Sequence, residues 1–135
     1  MTPTTAATQL ALAALIAAAP LAGSAATPAE LLATYRSAAG GAAPAAERGR
    51  QFFTTSHGRE WSCASCHGTP PTQTGKHANT GKPIAPLAPA FNGERFADAA
   101  KTEKWFRRNC NDVVGRECSA AEKADLMAWL LSLKP

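Results

Sequence analysis

The sequence has 135 residues, of which 45% are hydrophobic and 18% are charged, and its formal net charge is +4. This length allows one small domain. The 14 basic and 10 acidic residues are intermixed, which argues against a nucleic-acid-binding protein. Beyond residue 26, the only aliphatic β-branched side chains belong to Ile84, Val113 and Val114. So few strand-forming residues predict an all-α domain.

The first 26 residues have the pattern of a secretory signal peptide. They contain no charged side chain, and residues 9–21 form an apolar run. Ser24 and Ala26 then occupy the small-x-small positions of a cleavage site. We therefore expect cleavage near Ala26, export to the periplasm and one mature domain over residues 27–135. An uncleaved membrane anchor is the alternative.

Apolar periodicity and start signals predict four helices, over residues 28–39, about 45–54, about 96–108 and 119–134. The last has the clearest start, because Ser119 and Glu122 fit the capping box. We expect the second helix to cross the last near Gly49, Phe53 and Trp129. Residues 68–93 have no periodic pattern, and so long an irregular stretch is typical of a segment that wraps around a ligand.

The chemistry is carried by the segment Cys63-Ala64-Ser65-Cys66-His67, which is a C-x-x-C-H motif. In an exported protein this motif indicates covalent attachment of one haem c through both thiols. His67 then becomes the proximal iron ligand, and its other ring nitrogen needs an acceptor such as a carbonyl group of residues 85–87. A haem would also complete a core that is poor in aliphatic side chains.

Three other roles for these cysteines are open from the sequence. A zinc site would join Cys63 and Cys66 to Cys110 and Cys118, but the second pair is spaced too widely for such sites. A thioredoxin-like redox pair would need a βαβ setting, which this composition does not favour. A plain structural disulfide between Cys63 and Cys66 is the remaining alternative.

The sixth iron ligand distinguishes an electron carrier from a ligand-binding haem protein. Electron-carrying cytochromes c usually place a Met opposite the His. Beyond Met1 the chain has only Met127, which lies in the last predicted helix and is better suited to the core. His57 and His77 are alternative ligands, and His77 is favoured because its polar loop could reach across the haem.

The joint between the third and fourth helices contains Cys110 and Cys118, which we expect to form a disulfide in an oxidising compartment. Six basic residues lie between positions 95 and 116, and two of them, Arg107 and Arg108, sit next to this joint. The six are Arg95, Lys101, Lys104, Arg107, Arg108 and Arg116. They are candidates for docking an acidic redox partner, for pairing with haem propionates, or for a plain solvated helix face.

The sequence resembles the sphaeroides haem protein family, which consists of oxygen-binding monohaem cytochromes c. The resemblance rests on residues 80–82, 84–89, 103–105, 109–111, 115–118 and 122–126. It implies a small cytochrome c fold of about four helices, with Cys63 and Cys66 attaching the haem and His67 as the proximal ligand. It also implies a Cys110–Cys118 disulfide and Asn109 as the distal ligand of oxidised iron. The alternative for Asn109 is a cap at the end of the third helix.

The function implied by the resemblance is a periplasmic cytochrome that accepts electrons and binds O2, NO or CO once Asn109 leaves the reduced iron. An amide oxygen is a hard, weak ligand that suits Fe(III) better than Fe(II). The resemblance also implies a multihaem cytochrome c and a membrane b-type cytochrome as electron donors, and we expect a monomer. A simple electron carrier with a permanent sixth ligand is one alternative. A haem enzyme acting on O2 or NO is another, so catalysis is left open.

Overall fold

The architecture comes from a computed structural model that describes Met1 and residues 25–135. The predicted signal peptide lies outside the described residues, apart from Met1, Ala25 and Ala26. The described part contains five α-helices: α1 (Pro28–Ala38), α2 (Ala46–Thr54), α3 (Cys63–His67), α4 (Ala99–Val113) and α5 (Ala120–Ser132). The predicted all-α class is confirmed. None of the helices in the described part is long and apolar enough to cross a membrane.

Helix α5 is the centre of the core and packs against both α1 and α2. It begins as predicted, because the Ser119 hydroxyl accepts from the Glu122 amide and the Glu122 carboxylate accepts from the Ser119 amide. Met127 and Leu130 are completely buried. Because α5 is covered on two sides, it fixes the positions of the shorter helices around it.

The predicted crossing of α2 and α5 is confirmed at Gly49. A Cβ atom added to Gly49 would overlap the backbone carbonyl of Asp125, so only glycine permits this approach. One turn further along α2, the rings of Phe53 and Trp129 lie 5.0 Å apart. The Asp125 carboxylate then binds the Ala45 amide at the start of α2, at 2.6 Å.

Helix α4 differs from the prediction at both ends. It begins at Ala99, because Asp98 caps it by accepting from the Lys101 amide at 2.8 Å. Phe96, which was expected inside the helix, has φ +62° and lies outside it. The helix then continues to Val113, five residues beyond the predicted end. Asn109 therefore lies within α4, and the alternative that it caps the helix is wrong.

The irregular stretch over residues 68–93 contains a small antiparallel ladder, β1 (Gly75–Lys76) and β2 (Pro83–Ile84). A single 3-10 turn follows at Pro89–Phe91. The carbonyl of the buried Pro71 accepts from the amides of Leu87 and Ala88, both at 3.1 Å. These bonds tie the two ends of the stretch together, so that it forms a fixed wall without regular secondary structure.

Candidate haem-binding site

The C-x-x-C-H motif forms the short helix α3, which the sequence did not predict as a helix. Its start is tied by the Ser62 amide, which donates to the Ser65 hydroxyl at 3.0 Å. Cys63 and Cys66 are three residues apart, so a single helical turn places both thiols on one face. Neither cysteine forms a disulfide. His67 is the last residue of the helix.

The back of α3 rests on strand β1. A Cβ atom on Gly75 would overlap the Cys66 carbonyl, so the glycine lets the strand lie directly against the motif. The Ala78 amide also donates to the Cys66 sulfur at 3.3 Å. The loop over residues 68–93 thus contacts the cysteine-bearing turn at two points.

The two thiols and the imidazole line a cavity of about 860 Å³ between α3, α4 and the loop. This volume lies at the upper end of the range for small-molecule and cofactor sites, which is roughly 300–1,000 Å³. The walls are mostly apolar and come from distant parts of the chain, including Phe53, Ile84, Phe106, Leu126 and Leu130. Between α3, α4 and the loop, the cavity therefore occupies the space that core side chains would otherwise fill.

Burial shifts the pKa values of the groups on this wall. Loss of hydration raises the pKa of the Cys63 thiol to about 11. Burial, helped by the positive charge of Arg95, lowers the pKa of His67 to about 4. The imidazole is therefore neutral at pH 7, which is the form that binds a metal.

One face of α4 forms another wall of the cavity. Trp105 lies four residues after Lys101, and Arg108 and Asn109 lie three and four residues after Trp105, so these side chains share one face of the helix. All four residues line the cavity. Trp105 keeps 43% of its surface exposed, and the Arg108 guanidinium stacks 5.5 Å above its ring centroid. The Asn109 side chain makes no hydrogen bond to any described residue, so its amide is available to a ligand in the cavity.

The other potential sixth ligands are placed differently. Met127 is completely buried in α5 and does not line the cavity. His77 does line the cavity, but its Nδ1 lies 3.1 Å from the Thr80 hydroxyl and 3.3 Å from the Thr80 amide, within its own turn. The His57 Nε2 lies 2.8 Å from the Phe52 carbonyl oxygen.

Cys110 and Cys118 are joined by a disulfide with their Cα atoms 5.6 Å apart. The bridge links the last turn of α4 to the residue before the Ser119 cap, immediately beside Asn109. No cluster of metal-binding side chains unites the two cysteine pairs in the described part of the chain. Arg107, for which docking was one hypothesis, lies 3.2 Å from the Glu117 carboxylate.

In the segment expected to orient His67, the carbonyl groups of Ala85 and Pro86 accept hydrogen bonds from other side chains. The carbonyl oxygens of Ala85 and Pro86 accept from Arg95 at 2.9 and 3.0 Å, and Pro86 also accepts from Asn92. The His67 ring makes no hydrogen bond to a described residue. No carbonyl group of residues 85–87 binds the His67 ring in this structure, so the orienting role expected of that segment stays a prediction.

The sequence named Arg95 only within a cluster of basic residues and Trp105 only within the family resemblance, and it gave neither a place in the cavity wall, which both line. The spacing of four residues between Trp105 and Asn109 was a usable signal, because it places both on one helix face. Arg95 carried no such signal, since its position depends on the path of the loop over residues 85–92.

The arrangement fits a covalently attached haem. Two thiols lie at the correct spacing on one wall, followed by a neutral imidazole. The remaining walls are mostly apolar and include aromatic side chains, as a porphyrin ring requires. Cationic side chains at Arg95, Lys101 and Arg108 also line the cavity.

Comparison with known proteins agrees with this reading. Residues 39–130 match the family described as "Domain of unknown function (DUF1924)". The chain is similar to the cytochrome c-type protein SHP of Cereibacter sphaeroides, with 53% identity over 109 residues, which cover 77% of this chain and 82% of the relative. It is also similar to cytochrome c'' of Methylophilus methylotrophus, with 46% identity over 94 residues, covering 67% and 65% of the two chains.

Solved structures agree with the sequence relatives. The structure of oxidized SHP, described as an oxygen binding cytochrome c, superposes with a TM-score of 0.74 at 50% identity. The match covers 79% of this chain and 97% of that one. Oxidized cytochrome c'' from Methylophilus methylotrophus gives a TM-score of 0.71 at 40% identity, covering 80% and 95%. A solution structure of the same cytochrome, described as giving insights into haem-ligand detachment, gives 0.69 at 40% identity, covering 80% and 94%.

Proposed function

We propose, for a chain that belongs to the DUF1924 family and, like SHP and cytochrome c'', to the c-type cytochromes with one covalent haem c, a function in binding small diatomic ligands. The proposed binding is redox-gated, which means that it occurs only after the iron has been reduced. In this proposal Cys63 and Cys66 attach the haem and His67 is the proximal ligand. Asn109 binds the oxidised iron and withdraws after reduction. The position it vacates then accepts O2, NO or CO.

The observation that carries the proposal is the placement of Asn109. Its side chain lines the same cavity as Cys63, Cys66 and His67, on the opposing helix α4, and has no hydrogen-bond partner among the described residues. Met127, the only methionine of residues 25–135, is sealed inside α5. The side chain that would hold reduced iron strongly is therefore kept away from the cavity.

The chemistry of the Asn109 amide explains why it would leave the iron after reduction, and we call this redox-dependent ligand the gate. The haem, when bound, supplies a one-electron redox centre and a coordination position for small ligands. Asn109 offers a neutral, hard oxygen, which prefers the more highly charged Fe(III) to Fe(II). Because no described residue holds the Asn109 amide in a hydrogen bond, little is lost when it swings away. The disulfide at Cys110 fixes the backbone next to it, so the movement belongs to the side chain.

The relatives support both the binding of a diatomic ligand and the departure of the iron ligand that precedes it. SHP is described as an oxygen binding cytochrome c, and the solution structure of cytochrome c'' concerns haem-ligand detachment. We propose the periplasm as the location and other cytochromes, including a multihaem cytochrome c and a membrane b-type cytochrome, as electron donors. The exposed cations beside the cavity, Lys101 and Arg108, would favour an acidic surface on such a donor.

A second candidate is an electron carrier whose sixth ligand never leaves, and the location of His77 in the cavity wall favours it. His77 Nδ1 accepts a hydrogen bond from the Thr80 amide and lies beside the Thr80 hydroxyl, and these contacts hold the ring within its own turn, which favours Asn109 instead. A haem enzyme acting on O2 and NO would share the Asn109 gate, and turnover with NO would distinguish it.

The proposal is tested by placing a stronger ligand at the gate. Asn109→Met introduces a thioether that binds reduced iron well, so we expect a low-spin reduced protein with at least about 100-fold weaker CO binding. Asn111→Met is the matched control. Its side chain donates to the Arg107 carbonyl at 2.8 Å on the same helix and does not line the cavity. The control is expected to bind CO like the wild-type protein.

Both variants are measured by optical titration of the reduced protein with CO, after a spectrum confirms that the haem is attached. Unchanged CO binding by Asn109→Met would contradict the proposal, because it would mean that residue 109 does not reach the iron.

A further inference from the structure

Arg95 is a half-buried cation held rigidly in the cavity wall. Its Nε donates to the Pro86 carbonyl at 3.0 Å and its Nη2 donates to the Ala85 carbonyl at 2.9 Å. Asn92 binds the same Pro86 carbonyl at 3.2 Å. These bonds join the turn before α4 to the loop behind it, so the guanidinium has a fixed position and orientation.

Despite this burial, Arg95 has no anionic partner in the described part of the chain. None of the ion pairs there includes it, and burial lowers its pKa. A guanidinium carries five N–H donors, of which the two carbonyls use two. A partly dehydrated charge is costly unless an opposite charge meets it. The remaining donors therefore need an anion that the polypeptide does not supply.

The acidic residues nearest in sequence have other positions. The Asp98 carboxylate accepts from the Lys101 amide and caps α4. Glu94 is exposed and forms no ion pair with Arg95. Asp112 also lines the cavity, but it forms no ion pair with Arg95 either. An anion that enters the cavity is therefore the partner left for Arg95.

The other cations of the cavity wall differ from Arg95. Lys101 and Arg108 are exposed, and Arg108 stacks on the Trp105 ring. Water hydrates such side chains, so they have no comparable need for a counter-ion. Arg95 is the cation of this wall that is both fixed and partly dehydrated.

We propose that Arg95 is the binding residue for one propionate carboxylate of the haem. The planar guanidinium suits a carboxylate, because it can donate two parallel hydrogen bonds. The inference rests on covalent haem attachment and not on the Asn109 gate, so either can fail without the other. It also gives Arg95 a functional effect, since a cation held beside the haem favours the reduced state over the more positively charged oxidised state.

The test is the reduction potential of the intact holoprotein at one fixed pH. We expect Arg95→Gln to raise the ratio of oxidised to reduced protein about tenfold at a given ambient potential, a downward shift of 59 mV for one electron. Arg108→Gln is the control, because it removes the same charge from an exposed position on the same wall. We expect its ratio to change less than about twofold, since water screens that charge.

Arg95→Lys serves as a second variant where Arg95→Gln fails to accumulate with haem. It keeps the charge but loses the paired donors, so we expect a shift in the same direction of about threefold, against no shift for Arg108→Lys. Equal shifts at the two positions in both the Gln and the Lys variants would overturn the proposal. So would an unchanged potential in an Arg95 variant that carries its haem.

Discussion

At the scale of single residues, the account depends on what an asparagine does where a methionine is usual. Asn109 lines the cavity with its amide unpartnered among the described residues, and Met127 is buried in α5. On this account the single substitution Asn109→Met would convert the protein from a ligand binder into an electron carrier. The surrounding fold would change little, because the Asn109 side chain is exposed and makes no hydrogen bond to a described residue.

Gly49, unlike Asn109, is important for the structure, because it allows α2 to approach α5 closely. We predict that Gly49→Ala lowers the free energy of unfolding by about 3 kcal/mol, because the new methyl group would press on the Asp125 carbonyl and separate α2 from α5. Gly93→Ala is the control, since a Cβ there meets no other atom within 4 Å. Chemical denaturation measures both. A Gly49→Ala protein as stable as the Gly93→Ala protein would show that the crossing tolerates a side chain.

At the scale of elements, helices with local signals were predictable. The start of α5 follows from Ser119 and Glu122, which lie three residues apart and bind each other's backbone. Helix α4 was predicted less well, because its boundaries depend on Asp98 and on a backbone reversal at Phe96 that no periodicity reveals. The prediction ended α4 at Arg108 because it treated the disulfide as a joint between helices, whereas Cys110 lies within the helix.

The cap of α5 also predicts a pH dependence. Hydrogen bonds from Arg116, at 2.6 and 2.8 Å, lower the pKa of Glu122. A carboxylate with a depressed folded-state pKa stabilises the fold above its unfolded pKa, and this stability disappears as the pH falls through the folded value. We predict that wild-type protein loses about 1 kcal/mol more than Glu122→Gln between pH 7 and pH 3, because the pair is partly open to solvent.

Denaturation curves at the two pH values measure this difference. Glu60→Gln, which removes an exposed carboxylate outside the ion pairs of the described residues, is expected to follow the wild-type protein. Equal losses in the wild-type and Glu122→Gln proteins would contradict the assigned role of the cap.

At the scale of the whole molecule, the fold is built around a space that its side chains do not fill. The cavity of about 860 Å³ is lined by side chains from α2, α3, α4, α5 and the loop over residues 68–93. The sequence indicated this through its lack of aliphatic side chains and through the C-x-x-C-H motif. The cluster of basic residues between positions 95 and 116 included Arg95, but the sequence could not indicate that the carbonyl groups of Ala85 and Pro86 hold its guanidinium, because these residues reach it only through the tertiary path of the loop. Haem attachment was therefore predictable, and the fixed position of Arg95 in the cavity wall was not.

The central claim is that the distal ligand leaves when the protein is reduced. It is tested most directly by optical spectra of the wild-type holoprotein in the oxidised state, in the reduced state and in the reduced state with CO. The account predicts a high-spin, five-coordinate reduced spectrum that changes at once when CO is added. A low-spin reduced spectrum that CO does not alter would contradict it, because a strong sixth ligand such as His77 would then remain in place.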